Sequence, residues 1–105
     1  MTPQEQAKSF VDQATQSIQS GQFPQALELA DQALTFDQYN VDALVVKAIA
    51  LSQTNQADNA TATFKQALNL EPQNSKAAYN YAVHCYGLGR KQEALDLSRQ
   101  AVAAE

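Results

Sequence analysis

The sequence predicts an all-α protein built from three copies of one helical pair, and three observations predict it. Helix-favouring residues dominate: among 105 residues there are 19 Ala and 15 Gln, no Trp, and only six Gly and Pro together. The chain also matches itself when shifted by 34 residues. Ala14, Ala48 and Ala82 then share a column, as do Ala26, Ala60 and Ala94, then Ala33, Ala67 and Ala101, then Gln32, Gln66 and Gln100. Chance would supply roughly 0.3 columns identical in three copies, so the period is a property of the chain. Finally, turn-forming residues break the helical pattern at positions that the period repeats. The copies run 7–40, 41–74 and 75–105, within one domain of residues 1–105.

The first helix, 4–20, carries Phe10 and Ala14 and stops at "SGQF", where Gly21 readily takes the left-handed conformation that ends a helix. The second, 23–37, opens near Ala26 and stops at "FDQYN". Asn40 then caps the third, 41–54, which holds Leu44, Ala48 and Leu51 and ends at Asn55. The fourth, 57–70, holds Ala60, Phe64 and Ala67. Pro72 stops it, having no backbone N–H to donate and disfavouring helix at the preceding residue. Asn74 caps the fifth, 75–88, seated by Ala82 and ended at "LGRK" by Gly89; the sixth is 91–104. The alanine columns explain the pairing, since antiparallel helices approach closely only where facing side chains are small. Phe10, Leu44, Leu51, Phe64 and Leu68 are left to fill the space between pairs.

Composition excludes several function classes. Net charge is −4, and the seven Lys and Arg residues never cluster, so neither phosphate backbones nor anionic membrane surfaces find a basic stripe. No apolar run has the length of a membrane span, and the first residues lack the basic and apolar regions of a signal peptide. A cytoplasmic location is expected. Cys85 stands alone and forms no internal disulfide. Cys85 and His84 are adjacent, but neighbours on a helix point about 100° apart, so they do not make a nucleophile–base pair. Cys85 is expected in the core. One histidine makes no zinc site, and the carboxylates lack calcium-loop spacing. The acceptor triplet "NAT" at 59–61 falls inside a predicted helix, and the three glycines are isolated turn residues rather than a phosphate loop. No enzymatic activity, metal or cofactor is expected.

These columns resemble the tetratricopeptide repeat, a 34-residue helix–turn–helix unit. The second copy is closest, with Ala48, Leu51, Ala60, Phe64, Ala67 and Pro72 in the family's places. Departures are Phe10, Leu44 and Ala78 where Trp is common, Gln38 for the closing proline, and Ala30 and Ser98 for the aromatic at Phe64. The resemblance implies a right-handed superhelical solenoid of six antiparallel helices. Its first helices would line a concave groove for a peptide or an amphipathic helix of a partner protein. Carried onto this sequence, the groove residues are Val45, Val46, Ile49, Gln53, Lys76, Tyr79, Asn80, Val83 and Tyr86. Lys8, Val11, Asp12, Thr15, Ile18 and Gln19 are the first copy's contribution, and Asp42, Ser52 and Gly87 further members. Of the clamp by which one subclass holds the C-terminal carboxylate of heat-shock chaperones, only Lys76 is matched. Val11, Thr15, Val46 and Asn80 occupy its other places.

Two readings follow. In the first, the chain is a protein-interaction scaffold whose partner docks on the apolar residues of the groove. In the second, no terminal helix follows the third copy, and solenoid ends require cover. The chain would then belong to a longer array, or assemble with itself through its C-terminal repeat, and any activity would lie elsewhere.

Overall fold

The computed structural model describes residues 1–104, which form six α-helices: α1 Pro3–Gln19, α2 Phe23–Phe36, α3 Val41–Gln53, α4 Ala57–Leu70, α5 Ser75–Gly87 and α6 Lys91–Ala104. Every predicted helix is present, with ends within one residue of those expected.

Local chemistry repeats with the period. Asn40 and Asn74 each accept the backbone N–H three residues on, from Ala43 and Ala77, at 2.9 Å. At α1 a capping box does this work, with Thr2 and Glu5 bonded reciprocally. The turns within pairs are built on left-handed residues at Gly21, Asn55 and Gly89. At each, the following N–H reaches five residues back: Gln22 to Ser17 at 2.8 Å, Gln56 to Leu51 at 3.0 Å, Arg90 to Cys85 at 2.9 Å. This closure satisfies carbonyls that the ending helix leaves free. Both joints between pairs close alike, Asn40 N–H on the Asp37 carbonyl and Asn74 N–H on that of Glu71, each at 3.1 Å. Gln38 and Pro72 thus stand in joints closed by the same hydrogen bond.

Packing follows from the alanines. All nine members of the three alanine columns are buried. They let α1 lie against α2, α3 against α4 and α5 against α6. Consecutive pairs join through α2 on α3 and α4 on α5. The first helices also touch along the array, α1 to α3 and α3 to α5, whereas among the described residues α2, α4 and α6 do not approach one another. Crowding the first helices together and splaying the second ones curves the stack, so α1, α3 and α5 form its inner layer. The molecule measures 42 × 27 × 20 Å.

The two seams between pairs have different chemistry. At the first, Ala43 packs among Ala30, Ala33 and Val46, and Lys47 of α3 pairs with Asp31 of α2 at 3.0 Å. At the second, the Phe64 and Tyr81 rings stack almost parallel, centroids 5.3 Å apart, over a core that includes Ala48 and Cys85. Leu44 and Val45 pack with Ala67 and Ala77 beside them. Where the first pair has Ala30 in place of Phe64, that alanine is fully buried, and Phe10 instead stacks on Phe36 at 5.7 Å.

A groove on the inner layer and a recess at its end

The inner layer opens into a groove of about 710 Å³. Its apolar wall comes from Val11 and Ile18 on α1 and from Val45, Val46 and Ile49 on α3, with Asp12, Thr15, Asp42, Lys76 and Asn80 among its polar residues. Helical spacing explains the selection. Val11, Thr15 and Ile18 stand at i, i+4 and i+7 on α1, and Val45 and Ile49 continue that stripe on α3. Asp12 is paired with Lys8 at 3.2 Å, and Asp42 lies 4.0 Å from Lys76. The Asn80 side chain donates to the Lys76 carbonyl at 2.8 Å, which holds it at the groove margin.

The residues expected to form one groove are divided among three places. Val45, Val46, Ile49, Lys76 and Asn80 converge on the groove just described, although Val45 is only 2% exposed and belongs mainly to the core. Gln53 and Val83 line a neighbouring hollow of about 320 Å³ with Ile49, Ser52 and Asn80. Tyr79, Val83 and Tyr86 meet Ala82, Ala94 and Leu95 in a recess of about 430 Å³ between α5 and α6, at the end of the array. Tyr79 and Tyr86 stand out there, 61% and 68% exposed.

His84 has a role that its sequence neighbours did not suggest. It is 5% exposed, with Nδ1 2.8 Å from the Ser52 hydroxyl of α3 and Nε2 2.9 Å from the Thr61 hydroxyl of α4. A neutral imidazole offers one donor and one acceptor, and two hydroxyls satisfy both. Burial chiefly, and the Arg90 cation secondarily, hold its pKa below the ordinary 6.5. Position gives the clue sequence reasoning could have used: one period back lies Ala50, on the α3 face turned toward the preceding pair.

Cys85 is fully buried, as expected, and its thiol donates to the Glu93 carboxylate at 3.5 Å. Burial first, then Glu93, push the thiol up to about 11, which disfavours the nucleophilic thiolate. Among the described residues no three His, Cys, Asp or Glu side chains converge as a metal site, and no helix is long and apolar enough to cross a membrane.

The family model described as anaphase-promoting complex, cyclosome, subunit 3 matches residues 19–101. Photosystem I assembly protein Ycf3 of Synechococcus elongatus is 36% identical over 76 residues, covering 70% of this chain and 44% of that protein. The chain thus spans less than half the length of the curated relatives it matches. Among solved structures, the second TPR of Spaghetti (RPAP3) bound to the HSP90 peptide SRMEEVD superposes with a TM-score of 0.83 at 22% identity, covering 97% of this chain and 94% of that one. The Sgt2 TPR domain from Aspergillus fumigatus gives a TM-score of 0.87 at 20% identity, covering 99% and 69%. At these identities the structures speak for the fold alone. With six helices paired at a 34-residue interval and a family model matched over residues 19–101, the chain belongs to that model's family and is a tetratricopeptide repeat protein.

Proposed function

We propose that the chain is a protein-interaction module, and that its groove takes an apolar, extended or helical segment of a partner protein. The observation that carries this reading is the groove of about 710 Å³ floored by Ile49 and by Val11 and Val46, which are each 8% exposed, with Asp12, Thr15, Asp42, Lys76 and Asn80 among its polar lining. An apolar floor of this kind with a polar border suits one face of a peptide. Two features argue against an acidic chain terminus of the kind bound in the Spaghetti structure. Val11, Thr15, Val46 and Asn80 offer no positive charge, and the one cation in the groove, Lys76, lies beside Asp42. The name of the Ycf3 relative, an assembly protein, is compatible with a module that holds segments of other proteins. The reading needs no catalytic group and no cofactor.

A displayed library of random peptides selected on the intact chain tests this. The expected winners carry apolar residues at helical or alternating spacing and bind in the micromolar range. Thr15→Arg and Asn80→Arg, both at accessible positions, fill the groove and weaken binding at least tenfold while the circular dichroism spectrum stays unchanged. Winners that bind these variants as well as the original chain would overturn the groove assignment.

A further inference from the structure

The hollow beside the groove lies at the second seam, lined by residues of α3, α4 and α5 and by Leu88, which ends α5. Counting back one period shows how the sequence opens it. Gly87 and Ala57 line the hollow, and at the first seam their places are held by Gln53 and Phe23. Two large side chains are thus replaced by a hydrogen and a methyl group, and a Cβ built on Gly87 meets nothing within 4 Å. At the base the exchange runs the other way. Phe64 and His84 stand where the first seam has Ala30 and Ala50, their ring centroids 5.5 Å apart and their planes inclined by 41°. Both are buried, whereas Gly87 is exposed. The second seam is therefore filled by rings at its base and left open at its mouth.

At about 320 Å³ the hollow is at the small end of ligand sites, a size for one bulky group. Ile49, Val83 and Leu88 make its walls apolar. Its polar atoms are unequally engaged. The Ser52 hydroxyl is taken by His84, and the Asn80 amide nitrogen by the Lys76 carbonyl. Asn80 Oδ1 and the Gln53 carboxamide have no hydrogen-bond partner among the described residues. An occupant with an apolar ring and one donor on its edge answers both features, the ring against the apolar walls and the N–H or O–H on a carboxamide oxygen. An aliphatic group would fill the space and leave those oxygens to water.

Ile49 and Asn80 line the groove as well as the hollow, so a segment lying in the one can place a side chain in the other. We propose that the hollow is the specificity pocket of the groove and takes a tryptophan or tyrosine side chain of the partner segment, with Gly87 as the residue that admits it. The assignment rests on the reading of the groove as a peptide site. The first two copies carry Gln19 and Gln53 at this position, and the third copy's glycine makes the room that a glutamine would occupy.

Two measurements test this, and the first does not depend on the groove. Indole titrated into the intact, isotope-labelled chain is expected to shift the amide signals of Val83, Gly87 and Leu88, saturating at roughly millimolar concentration, as suits so small a probe. Gly87→Gln, which copies the other two repeats, abolishes those shifts while the circular dichroism spectrum stays unchanged. Peptides selected on the natural chain carry tryptophan or tyrosine at one fixed position, and leucine there weakens binding at least tenfold. In Gly87→Gln that difference disappears. Absent indole shifts, shifts that persist in Gly87→Gln, or peptides that accept leucine equally well would each overturn the pocket. Thr15 lines the groove but not the hollow, which separates the two readings. Peptides weakened by Thr15→Arg but not by Gly87→Gln would keep the groove and overturn the pocket. The reverse pattern would keep the pocket and overturn the groove.

Discussion

The Nδ1 atom of His84 lies 2.8 Å from the Ser52 hydroxyl, and this contact, with Nε2 on Thr61, ties α5 to both helices of the preceding pair. A protonated ring would keep both bonds, since each hydroxyl can turn to accept. What protonation costs is the burial of a charge beside Phe64 and Tyr81 and near Arg90, against a smaller favourable contact with the Ala57 carbonyl. The folded pKa is therefore lower than the unfolded value of 6.5. Above 6.5 the ring is neutral in both states and its stabilising contribution is complete. Below it the unfolded chain takes up the proton first, and stability declines until pH has passed the lowered folded value. Urea midpoints at pH 7.5 and 5.0 should differ more for the natural chain than for His84→Gln. The variant itself loses about 1–3 kcal/mol at pH 7.5, because the hydroxyls lose their partner. Parallel pH profiles for the two proteins would remove His84 from this role.

A single side chain should show how tightly the pairs are seated. Ala60 is fully buried and its neighbour Ala62 on α4 is exposed. Ala60→Leu forces the helices apart and is expected to cost about 1–3 kcal/mol, whereas Ala62→Leu stays within about 0.5 kcal/mol. Denaturant titration of both variants decides it; equal effects would mean that α3 and α4 can separate without penalty.

Two glycines two residues apart should respond with opposite signs. Gly89 has φ +80°, so Gly89→Ala forces a Cβ into the left-handed region and costs about 1 kcal/mol. Gly87 ends α5, and a Cβ built there meets nothing within 4 Å. Gly87→Ala is expected to stabilise by about 0.5–1 kcal/mol, through the entropy of the unfolded chain. Melting temperatures moving in the same direction would contradict this account of the turn.

The helices, their caps and the buried alanines were legible in the sequence because each depends on short-range chemistry repeated three times. Asn40, Asn55 and Asn74 could each be assigned from type and position. The groove was legible only in part, for a physical reason. A 34-residue period tells which side of a helical pair a residue occupies, but not whether another pair covers it. Val45 and Tyr79 share one column, yet the first is under Ala77 and the second lies open. His84 escaped for a related reason: its partners, Ser52 and Thr61, are 32 and 23 residues away, and no local pattern connects them.

The two seams answer to different solution variables. At the first, the partly exposed Lys47–Asp31 pair adds to the apolar packing around Ala43, and dissolved ions weaken that small addition. The second depends on a dry imidazole, which salt barely touches and protons loosen. Ionic strength is therefore expected to act, weakly, at the first seam and mild acid at the second. Although its sequence is periodic, the chain's two seams are not chemically equal.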